Sequence, residues 1–227
     1  MEVKEINGFE HIPYSHVHYG PEEMIERSQK FYDWLETRRS VRDFSDQPVP
    51  KEVIENIIRS ASTAPSGAHK QPWTFCVVSN AEIKKQIREA AEKEEYESYT
   101  KRMSEEWLDD LKPMATDWHK PFLEIAPYLI IVFKRAFEYD ADGKKHQNYY
   151  VNESVGLAAG MLITAIHDAG LVTLTHTPSP MNFLQKILDR PDNERPFLLL
   201  PVGYEAEEVF VPNNRRKNLE EVAVFYE

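Results

Sequence analysis

Residues 53–78 read VIENIIRSASTAPSGAHKQPWTFCVV, which is a helix pattern, a loop and a strand pattern in succession. Apolar residues from Val53 to Ala61 recur at helical spacing along one face. The run from Thr63 to Ala68 contains proline and glycine and cannot continue that helix. The aromatic and β-branched run Trp73–Val78 then predicts a strand. A helix followed by a strand in this way predicts helices layered on a sheet.

The rest of the chain repeats this alternation. Helical patterns cover residues 22–38 and 149–169, and strand patterns cover residues 127–133, 171–175 and 197–202. The first of these strands is a continuous apolar run, as expected of a strand covered on both faces. We therefore predict an α+β or α/β fold with one central sheet flanked by helices.

Three segments depart from this pattern. Residues 1–22 are predicted to be an extended N-terminal arm, which leaves residues 23–227 as a single domain. Residues 94–120 are too long and too polar for a simple connection, and insertions of this kind are often lids or binding loops. The stretch after Gly203 is predicted to be an arm that packs outside its own core, such as on a second subunit.

Composition excludes several classes of protein. The 227 residues carry a net charge of -11, which argues against a nucleic-acid partner. No stretch reaches the roughly 18 apolar residues of a membrane span, and the N-terminus lacks a secretory pattern. The single cysteine, Cys76, cannot form an internal disulfide. The pair His16 and His18 is predicted to be solvated, not to bind a metal. These features predict a soluble, cytoplasmic protein without a membrane partner.

Two cationic clusters indicate an anionic ligand. Three arginines lie within Arg38–Arg42, and a second cluster spans Arg215–Lys217. Guanidinium groups match phosphate oxygens in pairs, and Ser40 adds a hydroxyl donor. The alternative is a solvated basic patch, and spacing alone does not prove that the clusters meet. Neither a P-loop nor a dinucleotide-binding glycine motif occurs, so a common nucleotide is not indicated.

The motifs taken together resemble a known family. Arg-Arg-Ser-Val-Arg (38–42), Ala-Pro-Ser-Gly-Ala-His (64–69) and Gln-Pro-Trp-Thr-Phe (71–75) are similar to the nitroreductase superfamily. Within it, the chain resembles the iodotyrosine deiodinase family from about Phe31 to the C-terminus. That longer agreement includes Tyr-x-Lys-Arg-Met (99–103), Ala-Gly-Leu-Val-Thr (169–173) and Leu-Leu-Pro-Val-Gly-Tyr (199–204).

The resemblance implies an FMN-dependent oxidoreductase with a nitroreductase-like fold and a central mixed sheet. It also implies an intertwined homodimer with C-terminal arm exchange and active sites at the subunit interface. Thr177 would be the catalytic contact, with its hydroxyl donating to flavin N5. His176 stands where the family typically has threonine. The implied cofactor-binding residues are Arg38, Arg39, Ser40, Val41, Arg42, Ser66, Gly67, Thr175, His176, Thr177 and Arg216.

The resemblance also implies a substrate site. Glu95 and Tyr99 are four residues apart, which places them on one face of a helix, and Lys120 comes from the far end of the same insertion. An acid, a phenol and a lysine suit the ammonium and carboxylate of a free amino acid. Periodicity alone favours a solvated helix face instead. The backbone N–H of Ala68 would bind the substrate phenolate.

The implied reaction is the reductive dehalogenation of halotyrosines, above all of 3-iodo-L-tyrosine to L-tyrosine and iodide, and also of diiodo-, bromo- and chlorotyrosine. Electrons would come from NAD(P)H, directly or through a reductase. One alternative is a broad NAD(P)H-dependent nitro or quinone reductase of the same fold. Another is a non-catalytic flavin- or amino-acid-binding module with a protein partner.

Overall fold

The computed structural model describes residues 3–227, and the chain divides into two compact units. One unit ends at Arg38 and the other comprises Arg39–Glu227. In the first unit, strands β1 (Lys4–Ile6) and β2 (Phe9–His11) form an antiparallel hairpin. Its turn residues, Asn7 and Gly8, have positive φ, as a tight hairpin turn requires. The extended-arm prediction for residues 1–22 did not include this hairpin.

Helix α1 (Pro21–Glu36) follows in the same unit and agrees with the predicted helix within two residues at each end. Pro21 lies at the start of the helix, where its missing N–H costs no hydrogen bond. Glu22 and Glu23 lie in the first turn, where the helix dipole favours negative charge.

The second unit is built from seven helices of the α type and six strands within the described chain. These elements are α2 (Lys51–Ser62), β3 (Trp73–Val78), α3 (Ala81–Glu97), α4 (Glu105–Leu111), α5 (Phe122–Ile125), β4 (Tyr128–Arg135), β5 (Phe137–Tyr139), β6 (Lys145–Gln147), α6 (Val151–Asp168), β7 (Val172–Thr173), α7 (Asn182–Ile187), β8 (Glu194–Gly203) and α8 (Leu219–Val222). A π-helical turn, Ser98–Arg102, and two 3₁₀ turns, Gly67–His69 and Lys112–Met114, join them.

The central sheet has the strand order β3-β4-β8-β7, and all three ladders are antiparallel. A parallel bridge between Ser40 and Thr173 adds a segment at the β7 edge, so the sheet is mixed. A register shift in the β4–β8 pairing lies between Val132 and Phe133. The α+β architecture with a mixed sheet and flanking helices is the one predicted.

Strand β4 separates two hydrophobic layers. Ile130 and Val132 pack into the layer that contains α2 and α6. Leu129, Ile131 and Phe133 pack into the layer that contains α3, α5 and α7. All five side chains are fully buried, and successive side chains point to opposite faces of a strand. The prediction of a strand covered on both faces is therefore confirmed.

The C-terminal segment ends in a short helix and exposed apolar side chains. Asn218 and Glu221 form a reciprocal capping box at the start of α8. The large side chains Leu219, Val222, Val224, Phe225 and Tyr226 are all exposed. None of the helices in residues 3–227 is both long enough and apolar enough to cross a bilayer.

Candidate active site

The arginine-rich segment is fixed to the edge of the sheet by its backbone. The Val41 N–H donates to the Thr173 carbonyl at 3.2 Å, and Ser40 forms the parallel bridge to the same residue. The Val41 side chain is buried, whereas Ser40 and Arg42 are partly exposed on either side of it. Val41 therefore anchors the segment while its two neighbours keep their polar groups accessible.

The C-terminal cationic cluster belongs to a segment that contacts the arginine-rich one. Arg39 Nη2 donates to the carbonyl of Pro212, which precedes the second cluster by three residues. Arg215 is bound to both carboxylate oxygens of Glu221, at 2.7 and 3.1 Å. Arg216 lies on the exposed surface beyond it. The structure thus joins two basic segments that are far apart in sequence.

Arg38 is the last residue of the first unit, and its N–H donates to the Leu35 carbonyl at 3.1 Å.

Thr175, His176 and Thr177 continue the chain beyond β7. The predicted strand 171–175 is paired as a strand only at Val172–Thr173, and the ladder resumes as a bridge between His176 and Leu199. The side chains alternate, with His176 buried and both threonines exposed. Each threonine hydroxyl is therefore available to a ligand at this edge.

His176 is a buried imidazole without a counter-charge. Burial, reinforced by the positive charges of Lys120 and Arg42, lowers its pKa to about 3. Its ring meets the ring of Phe122 edge-on, with centroids 5.7 Å apart. Its Nε2 atom is buried and has no hydrogen-bond partner in the described chain. The imidazole is therefore neutral at physiological pH.

Glu95 and Lys120 form a buried ion pair across the insertion. Glu95 Oε2 lies 3.7 Å from Lys120 Nζ, and the two side chains are only 11% and 5% exposed. Tyr99 lies one turn after Glu95, and Lys120 Nζ stands 5.5 Å from the centre of its ring. The solvated helix face that periodicity favoured is therefore wrong for Glu95 and Lys120.

Two residues that the sequence reasoning missed support this cluster. The Thr116 hydroxyl accepts a hydrogen bond from Lys120 Nζ at 3.3 Å, and the Thr116 carbonyl accepts one from the Tyr99 hydroxyl at 3.4 Å. Glu92 accepts the Lys120 backbone N–H at 2.7 Å and also binds Arg88 Nε at 2.8 Å. Glu92 precedes Glu95 by three residues, so helical spacing gave a signal for it. Nothing local pointed to Thr116.

The side chains of Glu95, Tyr99 and Lys120 all have shifted pKa values. Burial raises the pKa of Glu95, and Lys120 opposes that rise only in part. Burial also lowers the pKa of Lys120 and raises that of Tyr99. Arg42 acts on both Lys120 and Tyr99, which ties the arginine-rich segment to the insertion. Perturbed groups concentrated in this way are typical of functional sites.

The loop Ser66–Ala68 contacts the start of α6. Gly67 packs closely here, because a Cβ at this position would lie 3.0 Å from the Tyr150 ring and 3.1 Å from the Tyr149 carbonyl, so a larger residue would require those neighbours to shift. The Gly67 N–H points to the Ser154 hydroxyl at 3.4 Å, and Ala68 is exposed. Within residues 3–227, the Ala68 N–H has no protein acceptor.

A single chain does not bring this loop to the arginine-rich segment. The loop precedes β3, at one edge of the sheet, whereas Ser40 and Thr175 lie at the β7 edge. Three inter-strand spacings separate those edges, which is roughly 14 Å. None of the hydrogen bonds and ion pairs found in residues 3–227 connects the loop with Arg42 or the Glu95–Lys120 pair.

The chain therefore has an α+β fold with a basic segment at one edge of the sheet and a polar insertion that contains a buried ion pair. The sequence profile of the Nitroreductase family matches residues 35–204. Iodotyrosine deiodinase from Haliscomenobacter hydrossis is 64% identical over 95% of this chain and 97% of its own length. Iodotyrosine deiodinase 1 from Homo sapiens is 49% identical over 95% of this chain and 75% of its own.

Solved structures agree with these relatives. An oxidized iodotyrosine deiodinase bound to FMN and 3-iodo-L-tyrosine superposes with a TM-score of 0.73 and 33% identity, covering 86% of this chain and 98% of that one. A nitroreductase-like protein from Streptococcus mutans shares the fold, with a TM-score of 0.64 and 20% identity, covering 88% of this chain and 100% of that one. The chain belongs to the iodotyrosine deiodinase family within the nitroreductase family.

Proposed function

We propose that this protein is an FMN-dependent reductive dehalogenase that converts 3-iodo-L-tyrosine to L-tyrosine and iodide. Diiodo-, bromo- and chlorotyrosine are substrates of the same kind. The observation that carries the proposal is the buried Glu95–Lys120 pair beside Tyr99, in a chain 64% identical to an iodotyrosine deiodinase. A general nitroreductase has no need of opposite charges placed to hold an amino-acid zwitterion.

The residues at the β7 edge suit FMN. Arg39, Ser40 and Arg42 supply donors for a phosphate, and Arg216 follows on the segment that Arg39 contacts. Guanidinium groups bind phosphate oxygens in pairs. Thr175 and Thr177 are exposed. Their hydroxyls would face the flavin ring, and the Thr177 hydroxyl would donate to N5. When bound, reduced FMN supplies the two electrons of the reaction.

The side chains of the insertion bind and orient the substrate. Glu95 accepts the substrate ammonium, while Lys120 and Tyr99 donate to the carboxylate. Because Glu95 and Lys120 are buried, their charges act in a low dielectric and that part of the site excludes water. The Ala68 N–H donates to the phenolate oxygen. The carbon–iodine bond then breaks with uptake of two electrons and one proton, which yields tyrosine and iodide.

The active unit is a homodimer with sites at the subunit interface. The separation of Ser66–Ala68 from the β7 edge supports this arrangement, because the partner's loop would complete each site. Helix α6 presents an exposed face of Gly156, Leu157, Gly160 and Met161. Within the described chain nothing lies within 4 Å of a Cβ built at either glycine, so another helix has room to approach closely.

Exchange of the C-terminal arms fits the same dimer. The apolar side chains of Leu219, Val222, Val224, Phe225 and Tyr226 are exposed, and the backbone becomes extended at Ala223, directly after α8. A groove of about 440 Å³ lies beside the β3 edge and is lined by α2 and by Val77 and Tyr128. An apolar extended segment of a second copy suits an open strand edge next to such a groove.

A purified, yellow holoprotein tests the function directly. We expect 3-iodo-L-tyrosine to quench flavin fluorescence and the dithionite-reduced enzyme to release iodide. Rapid reduction of FMN by NAD(P)H without preference for halotyrosines would favour the nitro or quinone reductase instead. Tight ligand binding without iodide release would favour a non-catalytic module.

Electrons come from NAD(P)H, directly or through a reductase, in a cytoplasmic setting.

A further inference from the structure

The loop between α2 and β3 has an unusual backbone. Three of its non-glycine residues, Ala68, His69 and Gln71, have φ of 49°, 55° and 47°. A left-handed φ is unfavourable for residues with a Cβ, and several close together persist only where surrounding contacts impose them. Such strain is common where a loop positions a functional group.

The first half of the loop is held by its own serine and by the start of α6. Ser66 Oγ accepts the Gln71 N–H at 2.9 Å, which closes the loop on itself. Gly67 packs against Tyr149 and Tyr150, with its N–H directed to Ser154. These contacts fix the loop on the N-terminal side of Ala68.

The second half is held by Arg135, the last residue of β4. Arg135 Nη2 donates to the carbonyls of Gln71 and Trp73, at 3.0 and 3.2 Å. The Arg135 backbone N–H donates to the carbonyl of Pro72, which lies between them, at 2.9 Å. The guanidinium is also anchored by Glu138, whose Oε1 lies 3.4 Å from Nη1. A single residue therefore binds three consecutive carbonyls at the end of the loop.

We propose that Arg135 is a positioning residue that fixes the Ala68 N–H toward the phenolate oxygen of the halotyrosine. The inference rests on the proposed function, because it assigns a task to a backbone donor of that site. Arg135 acts only through the loop and does not touch the substrate. The planar fork of arginine directs its donors as lysine does not, so lysine is an incomplete substitute.

The experiment compares two ligands on the holoenzyme. 3-Iodo-L-phenylalanine keeps the halogen and the zwitterion of 3-iodo-L-tyrosine but lacks the phenolic hydroxyl. Flavin fluorescence gives the Kd of each ligand for the wild type, R135Q and R135K. We expect R135Q to lose about tenfold in affinity for iodotyrosine, the typical effect of a lost hydrogen bond to a charged group, and to bind iodophenylalanine unchanged. The affinity of R135K for iodotyrosine should lie between those of the wild type and R135Q.

The control is K134M on the same strand. Lys134 binds Asn152 at the start of α6 but makes no hydrogen bond to the loop in the described chain, so its ligand preference should match the wild type. Equal losses for both ligands in R135Q, or no loss at all, would overturn the role of Arg135 while wild-type iodide release still supports the function. Should R135Q fail to fold, R135K carries the same comparison. A wild type that releases no iodide would overturn the function itself.

Discussion

Glu95 and Lys120 lie 25 positions apart in sequence, and their charged atoms stand 3.7 Å apart with both side chains buried. Each is the main counter-charge of the other, so the ligand-free site already holds the two charges that an amino acid carries. In the proposed site, a bound zwitterion would exchange this internal pair for two pairs with the substrate. A ligand with only one charge leaves a buried partner unpaired, which is costly.

The first prediction concerns Glu95→Gln. Loss of the carboxylate removes the proposed partner of the substrate ammonium, and we expect the Kd of 3-iodo-L-tyrosine to rise roughly 10- to 100-fold. Affinity for FMN should not change. Glu94→Gln is the matched control, because Glu94 pairs with Arg102 on the outer side of the same helix. An unchanged Kd in flavin-fluorescence titrations of E95Q would remove Glu95 from the substrate site.

The second prediction concerns Thr177→Ala. Without the hydroxyl proposed to donate to flavin N5, we expect iodide release from the reduced enzyme to slow by at least about tenfold, while FMN still binds. Single-turnover measurement of iodide separates this effect from substrate binding. Thr164→Ala is the control, because among residues 3–227 the Thr164 hydroxyl donates only to the Gly160 carbonyl within α6. Equal single-turnover rates in wild type and T177A would contradict the catalytic role.

The third prediction concerns pH and His176. Its folded pKa of about 3 lies below the ordinary value of 6.5, so the unfolded chain takes up the proton first as pH falls. Because His176 is buried in its neutral form, the free energy of unfolding falls by about 1.4 kcal/mol for each unit by which the pH drops between 6.5 and 3. We expect H176Q to lose less stability than the wild type over that window in urea titrations. Parallel stability curves for the wild type and H176Q between pH 6.5 and 3 would contradict the prediction.

The fourth prediction concerns the dimer. Leu157→Glu places a charge on the open face of α6, and we expect a monomer by light scattering. Because Ser66 and Gly67 of the partner are proposed to complete the flavin site, the monomer should also bind FMN at least about tenfold more weakly. Tyr139→Glu is the control, since Tyr139 is as exposed as Leu157 at 53% but lies on the β5–β6 hairpin. A dimeric L157E with normal FMN affinity would exclude this interface.

Local patterns predicted most of the fold. The apolar run at β4 and the amphipathic pattern of α2 follow from residues close in sequence, and both elements formed as predicted. Only residues 172–173 of the predicted strand 171–175 are paired as a strand, because pairing there depends on the position of β8. The hairpin at Lys4–His11 was missed although Asn7-Gly8 is a strong turn signal.

The sequence by itself determined the residue types of the site: the arginine-rich segment, the threonines near 177 and the acid, phenol and lysine of the insertion. Periodicity describes only neighbours along one helix or strand, so it assigned Glu95 to a solvated face. The tertiary structure decided that Glu95 and Lys120 are buried together, that Arg39 contacts Pro212 and that Thr116 supports the pair. These contacts depend on packing between distant segments, because burial and charge pairing are properties of the whole fold.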